Sequence, residues 1–183
     1  MAYRLAKCEE EPSYRYSLTI ETDAVGGRGL LVVQCNPSLA SSTRSDPTVG
    51  KVSTWAEEAG FASVVFLNLF ARRSPSIDEI SYLPYTDLVG AKNDAVLARY
   101  GSMHATLVFA WGATLPVSNE LYQRRLLEIK ILFSSRSIFR VGALSLGQYP
   151  RHGRMWNKGN RLLQPLNWDE LLPNNSIQRT LVC

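Results

Sequence analysis

The sequence is poor in the residues that mark metal and redox chemistry: it holds three cysteines and two histidines in 183 residues. Cys8, Cys35 and Cys183 are scattered, without the paired spacing of a zinc site, and an odd count does not make a disulfide framework. Free thiols are expected, with no metal and no other cofactor. No apolar run approaches the roughly 20 residues needed to cross a bilayer, so no membrane contact is expected. The opening Met1-Ala2-Tyr3-Arg4-Leu5 lacks the apolar stretch of a secretion signal, which makes the cytoplasm the expected location. Phosphate-cradling glycine loops are missing too. Gly26-Gly27-Arg28-Gly29 precedes its strand, whereas a nucleotide-binding loop follows one, so it reads as a turn. No H-E-x-x-H, G-x-S-x-G or C-x-x-C occurs, which disfavours zinc hydrolysis, a serine elbow and dithiol chemistry.

What the chain does have is an apolar run, Leu30 to Cys35, that stops at Asn36-Pro37-Ser38. Such a run predicts a buried strand. Pro37 cannot donate to a sheet and biases Asn36 away from helix, so the chain leaves the sheet at Asn36. Ser63–Asn68, Ala105–Trp111 and Ser137–Val141 predict three more central strands. Tyr14–Ile20 alternates like an edge strand. Asp46-Pro47 predicts a helix start, with Asp as cap and Pro in the first turn, and Gly60 its end. Ser76-Ile77-Asp78-Glu79 resembles a capping box. Further helices are expected over about 90–100 and 117–133. Residues 1–12 read as a loose arm, 38–45 as a polar loop, 144–164 as a basic loop, and the chain beyond Asn167 as a tail or short helix. Strands alternating with helices imply one α/β domain over 1–183, a three-layer αβα sandwich with a mostly parallel sheet. Ligands of such sheets gather at the carboxyl ends of the strands, where Asn36, Asn68, Trp111 and the loop around His152 could converge.

The net charge of +4 is mild, but its distribution is informative. Arg72 and Arg73 follow a strand, Arg124 and Arg125 lie in a helix, and Arg151, Arg154, Lys158 and Arg161 cluster late, interleaved with Tyr149, His152 and Trp156. Cations with aromatics in a loop suit phosphate neutralisation and base stacking. The alternative is a solvated basic loop.

Each candidate side chain has a bland alternative. Asn36 is either a turn-capping amide or a group that orients water. His152 is either a surface histidine or a donor kept neutral by the arginines around it. His104 reads as structural or exposed. Asn68 either ties loops together or reads a base edge with its paired donor and acceptor. Phe70 and Trp111 are stacking platforms or core. Asp94 is a helix-terminus or surface charge, or else a pocket acid. Cys35 alternates to the face opposite Asn36, which disfavours a thiol nucleophile.

The ordered series Leu-Leu-Val-Val-Gln-Cys-Asn-Pro-Ser, Asp46-Pro47-Thr48, Asn68-Leu69-Phe70-Ala71, Val89-Gly90 with Asn93-Asp94, Ala110-Trp111-Gly112 and Pro150-Arg151-His152 resembles a bacterial family of small proteins described as a domain of unknown function. More distantly, the pattern is similar to the uracil-DNA glycosylase superfamily, especially its mismatch-specific branch. There a strand ends in Gly-x-Asn-Pro-Gly, whose Asn positions the attacking water, and a later His-Pro-Ser or Asn-Pro-Ser loop contacts the flipped base. Asn36-Pro37 and Arg151-His152-Gly153-Arg154 occupy those places, with Ser38 for the glycine and Gly153 for the proline. The loop 39–45 lacks the stacking aromatic, which points away from plain uracil and toward a roomier pocket.

The resemblance implies a monomeric, monofunctional DNA glycosylase that flips a base out of duplex DNA and hydrolyses its N-glycosidic bond. The expected base is cytosine-derived, with a cytosine carrying a bulky adduct, as in some phage DNA, as the first case to test; repair and defence against such genomes both fit. Asn36 and His152 would be catalytic. Asn68, Phe70, Trp111 and Asp94 would contact the base, and Arg72, Arg73, Arg151, Arg154 and Lys158 the DNA. The rivals are a glycosidase or transferase on free nucleosides, and a non-catalytic module that recognises modified DNA.

Overall fold

A computed structural model describes residues 6–37, 40–41, 46–73 and 82–172. The elements in order are β1 (Ala6–Glu11), β2 (Tyr14–Glu21), β3 (Gly29–Gln34), α1 (Pro47–Glu58), β4 (Ser63–Asn68), α2 (Tyr85–Val89), α3 (Asn93–Met103), β5 (Thr106–Phe109), α4 (Asn119–Leu132), β6 (Ile138–Val141), a 3-10 turn (Gly153–Met155), β7 (Leu163–Leu166) and α5 (Trp168–Leu171). The strands form one seven-stranded sheet in the order β1-β2-β4-β3-β5-β6-β7. This is a mixed α/β fold. The four central strands β4, β3, β5 and β6 run parallel. Both flanks are antiparallel: β1 on β2, β2 on β4 and β7 on β6. The expected mostly parallel sheet is therefore parallel only at its centre.

The two flanks were hidden in the sequence for different reasons. β1 replaces most of the expected loose arm. It carries Lys7, Glu9, Glu10 and Glu11, the polar content of a protected sheet edge. Ion pairs Glu9–Arg99, Glu10–Arg73 and Glu11–Lys92 fasten it to the body. β2 is consequently interior rather than an edge. At the other side β7 contains Pro165, which cannot donate to a ladder and is tolerated at an edge. The stretch expected as loop up to residue 164 thus ends in a strand.

Inside the sheet the hydrophobic effect sets the pattern. β3 is buried on both faces, as its unbroken apolar run requires. Leu31 and Val33 pack with Leu97 of α3 and Leu126 of α4, whereas Leu30 and Val32 pack with Val49, Val52 and Trp55 of α1. Helices therefore cover both faces. The Asp46 carboxylate caps α1, accepting from the backbone N–H groups of Thr48 (2.7 Å) and Val49 (2.9 Å). The capping box at 76–79, most of the loop 38–45, residues 1–5 and the tail from 173 lie outside the described residues. No helix among the described residues is long and apolar enough to cross a membrane.

Candidate active site

The carboxyl end of β3 opens into a cleft of about 170 Å³, lined by Gln34, Asn36, Pro37, Thr48, Trp111 and His152, with Cys35 and Thr114. Asn36 and His152, distant in sequence, therefore meet in one small space. β3 and β4 stay paired past their formal ends, through Leu69 N–H on the Gln34 carbonyl (2.8 Å) and Phe70 N–H on the Cys35 carbonyl (2.9 Å). The Asn36 amide thus leaves from a rigid base. It is half-buried and makes no side-chain hydrogen bond among the described residues.

Two close approaches hold His152 in place. Gly112 has φ of +77°, and a Cβ there would lie 2.9 Å from the His152 Cβ. Its N–H donates to the Pro150 carbonyl at 2.7 Å, joining the loop to the end of β5. On the opposite side, a Cβ at Gly153 would lie 2.6 Å from a methyl of Val52 on α1. This accounts for a glycine directly after the histidine. The Arg154 backbone N–H donates to His152 Nδ1 at 3.1 Å, so the neutral ring carries its proton on Nε2. Burial, and next the Arg154 guanidinium, hold the imidazole pKa below its ordinary value. His152 is a neutral Nε2–H donor at neutral pH.

The basic loop is built rather than loose. Trp156 is fully buried, packs edge-on against Trp55 (4.9 Å between centroids) and donates its indole N–H to the Arg151 carbonyl (3.2 Å). It is core, not a stacking platform. Arg151 donates to the carbonyls of Asn160 (2.9 Å) and Lys158 (2.6 Å), so its guanidinium shapes the loop. Arg154 and Lys158 are exposed.

Of the four expected base contacts, only Trp111 lines the cleft. Its indole N–H donates to the Tyr122 hydroxyl (3.0 Å), which fixes the ring. Asn68 is fully buried and donates to the Arg15 carbonyl (3.2 Å), tying β4 to β2. Phe70 is core, edge-on to Tyr85. Asp94 lies on α3 beside a different cleft, accepting from the buried Arg125 at 2.5 Å. Arg72 stacks over Tyr14 and Arg73 pairs with Glu10, both at the β1–β2 flank. Neither lines the cleft. His104 hydrogen-bonds the Tyr100 carbonyl, a structural role. Burial pushes the Cys35 thiol up to about 12, so it is not a ready nucleophile.

Sequence reasoning passed over Gln34. It is 5% exposed, yet its side-chain amide makes no hydrogen bond, and Oε1 is buried without a partner. Burying such a group unpaired costs about 1–3 kcal/mol. A polar residue closing an otherwise apolar strand was the available signal. No cluster of three or more His, Cys, Asp or Glu suited to a metal ion occurs among the described residues.

A family model described as "Protein of unknown function (DUF1643)" matches residues 15–152, a span that contains the whole cleft. No curated protein matches, and no solved structure matches. The expected tie to a family of unknown function holds, while the more distant likeness to uracil-DNA glycosylases has no match behind it. From β2 to the cleft histidine, this chain belongs to the DUF1643 family.

Proposed function

We propose that this protein is a DNA glycosylase that takes a flipped base, cytosine-derived in the first instance, into the Asn36–His152 cleft and hydrolyses its N-glycosidic bond. The observation that carries this reading is the meeting of an Asn-Pro amide and a neutral imidazole in one ring-sized cleft at a strand's carboxyl end. The cleft, about 170 Å³, is of a size to take a heterocyclic ring.

The chemistry follows from the groups present. Unpairing and unstacking the base costs a few kcal/mol. As the bond from C1′ to the base nitrogen breaks, its electron pair moves to the base and the sugar becomes oxocarbenium-like. The His152 Nε2–H donates to the base oxygen where negative charge grows, a fixed dipole of the kind that supplies the largest catalytic terms. The Asn36 amide orients a water toward C1′. Water oxygen forms the new bond, its proton passes to solvent, and the base leaves to be protonated. Arg154 and Lys158, exposed on the loop that carries His152, meet phosphates. On this reading the helix-covered sheet is a distant form of the uracil-DNA glycosylase sandwich.

The test is abasic-site formation on duplexes carrying uracil, mismatches, and modified cytosines. Alkali-labile sites are expected on at least one, with a loss of about 100-fold or more in Asn36→Ala. Folded protein that yields none on any of them overturns the proposal. Cleavage of free nucleosides alone would favour a nucleoside glycosidase, and salt-dependent DNA binding without cleavage a recognition module.

A further inference from the structure

Gln34 differs from the other buried amides. Asn68 and Asn93 also have carbonyl oxygens without partners, but each donates its NH₂ to backbone: Asn68 to Arg15, Asn93 to the carbonyls of Asn68 (3.1 Å) and Leu69 (3.0 Å). Those amides are anchored ties between strands and α3. The Gln34 amide has no anchor at all, and it alone of the three lines the cleft. On the α1 side it lies near Gly153: a Cβ at that glycine would sit 3.8 Å from the amide nitrogen, an ordinary contact distance.

A side chain so buried and so unpaired is destabilising unless something else completes it. A primary amide presents a donor NH₂ and an acceptor oxygen side by side in one plane. The ligand that completes it is a flat ring edge with an adjacent donor and acceptor. We propose that Gln34 is the specificity-determining residue of the cleft and reads the amide or amidine edge of a single pyrimidine ring. This rests on the glycosylase reading for the identity of the ring as a nucleobase. Because no neighbour fixes the amide, a half-turn about its last bond exchanges Oε1 for Nε2. The site therefore accepts both edge types, the N3–H and O4 of a uracil-like ring and the N3 and N4–H of a cytosine-like ring. Discrimination between them is not built into Gln34.

The experiment uses the whole chain and three probes: 1-methylcytosine, 1-methyluracil and 1,3-dimethyluracil, whose edge is blocked. Titration followed by NMR should shift the Gln34 side-chain amide protons with the first two probes, at comparable affinity, and leave them unmoved by the third. Gln34→Met should weaken binding of the first two by about tenfold or more. It should also raise the thermal midpoint by about 2–4 °C, because it removes an unpaired buried polar group. Equal binding of all three probes, no binding of any, or unchanged binding by Gln34→Met overturns the inference. The two proposals fail separately. Base binding that depends on Gln34 without abasic-site formation removes the catalytic reading and leaves this one. Abasic-site formation indifferent to Gln34→Met does the reverse.

Discussion

Two of the clefts among the described residues differ in what their polar groups are doing. The larger, about 520 Å³, is lined by Tyr14, Tyr16, Tyr85, Asp94, Arg124 and Glu128 among others. It looks richer in chemistry, but its groups are engaged with one another. Glu11 pairs with Lys92 (2.6 Å) and accepts from Tyr16 (2.9 Å). Glu128 takes hydrogen bonds from Arg124, Arg125 and Tyr85, and Arg124 also lies 3.7 Å over the Tyr85 ring. Burial would raise the Glu128 pKa, but those three donors more than offset it and hold the carboxyl low. The smaller cleft contains Gln34 and Asn36 amides without partners and an imidazole with one nitrogen available. Volume and charge do not separate a site from a scaffold here; incomplete hydrogen bonding does.

The sharpest way to break this contrast is to compare one side chain from each cleft. His152→Ala should lower abasic-site formation by about 100-fold or more, while Asp94→Asn leaves it unchanged. Comparable losses in the two variants would erase the distinction. Next in size is the larger cleft's structural weight. Arg125 is fully buried, bridges Asp94 and Glu128, and donates to the Leu69 carbonyl at 2.7 Å. Arg125→Met should cost about 3 kcal/mol in urea unfolding, with turnover of the folded fraction retained. A cost below about 1 kcal/mol would mean that this cluster is not scaffold.

The smallest effect is in pH. Burial, then Arg154, lowers the His152 pKa below its ordinary value of 6.5. A neutral donor is needed, so activity should fall on the acidic side with a midpoint below 6.5. Arg154→Gln should move that midpoint upward toward 6.5, by less than burial lowers it. Stability follows the same sign. The unfolded imidazole takes up its proton near 6.5 and the folded one only below that, so stability is lost as pH falls from 6.5 through the lowered value. A midpoint above 6.5 in the wild-type protein would contradict a buried neutral ring.

Much of the frame was legible because local chemistry and burial agree. Asp46-Pro47 set the start of α1, and the apolar runs of β3 and β4 carried their own boundaries. β1 and β7 escaped because edge strands are made of charges and a proline, the same residues that mark loops. In the site, Asn36 and His152 were visible by their placement at loop turns. Asn68 shares Asn36's residue type and its position at a strand end, yet the Arg15 backbone absorbs its amide. Gln34 shows in the sequence only as a polar residue closing an apolar strand; that its amide lacks a partner is a property of the packed state. Arg72 and Arg73 read as DNA contacts in the sequence, and the structure sets them beside Tyr14 and Glu10.

The tight seat of Gly153 on Val52 reaches beyond this one chain. Positions 153 and 52 share a single allotment of space, so they should vary together. Relatives that restore a side chain after the histidine ought to show alanine or glycine on the facing turn of the first helix, and a valine there ought to travel with glycine.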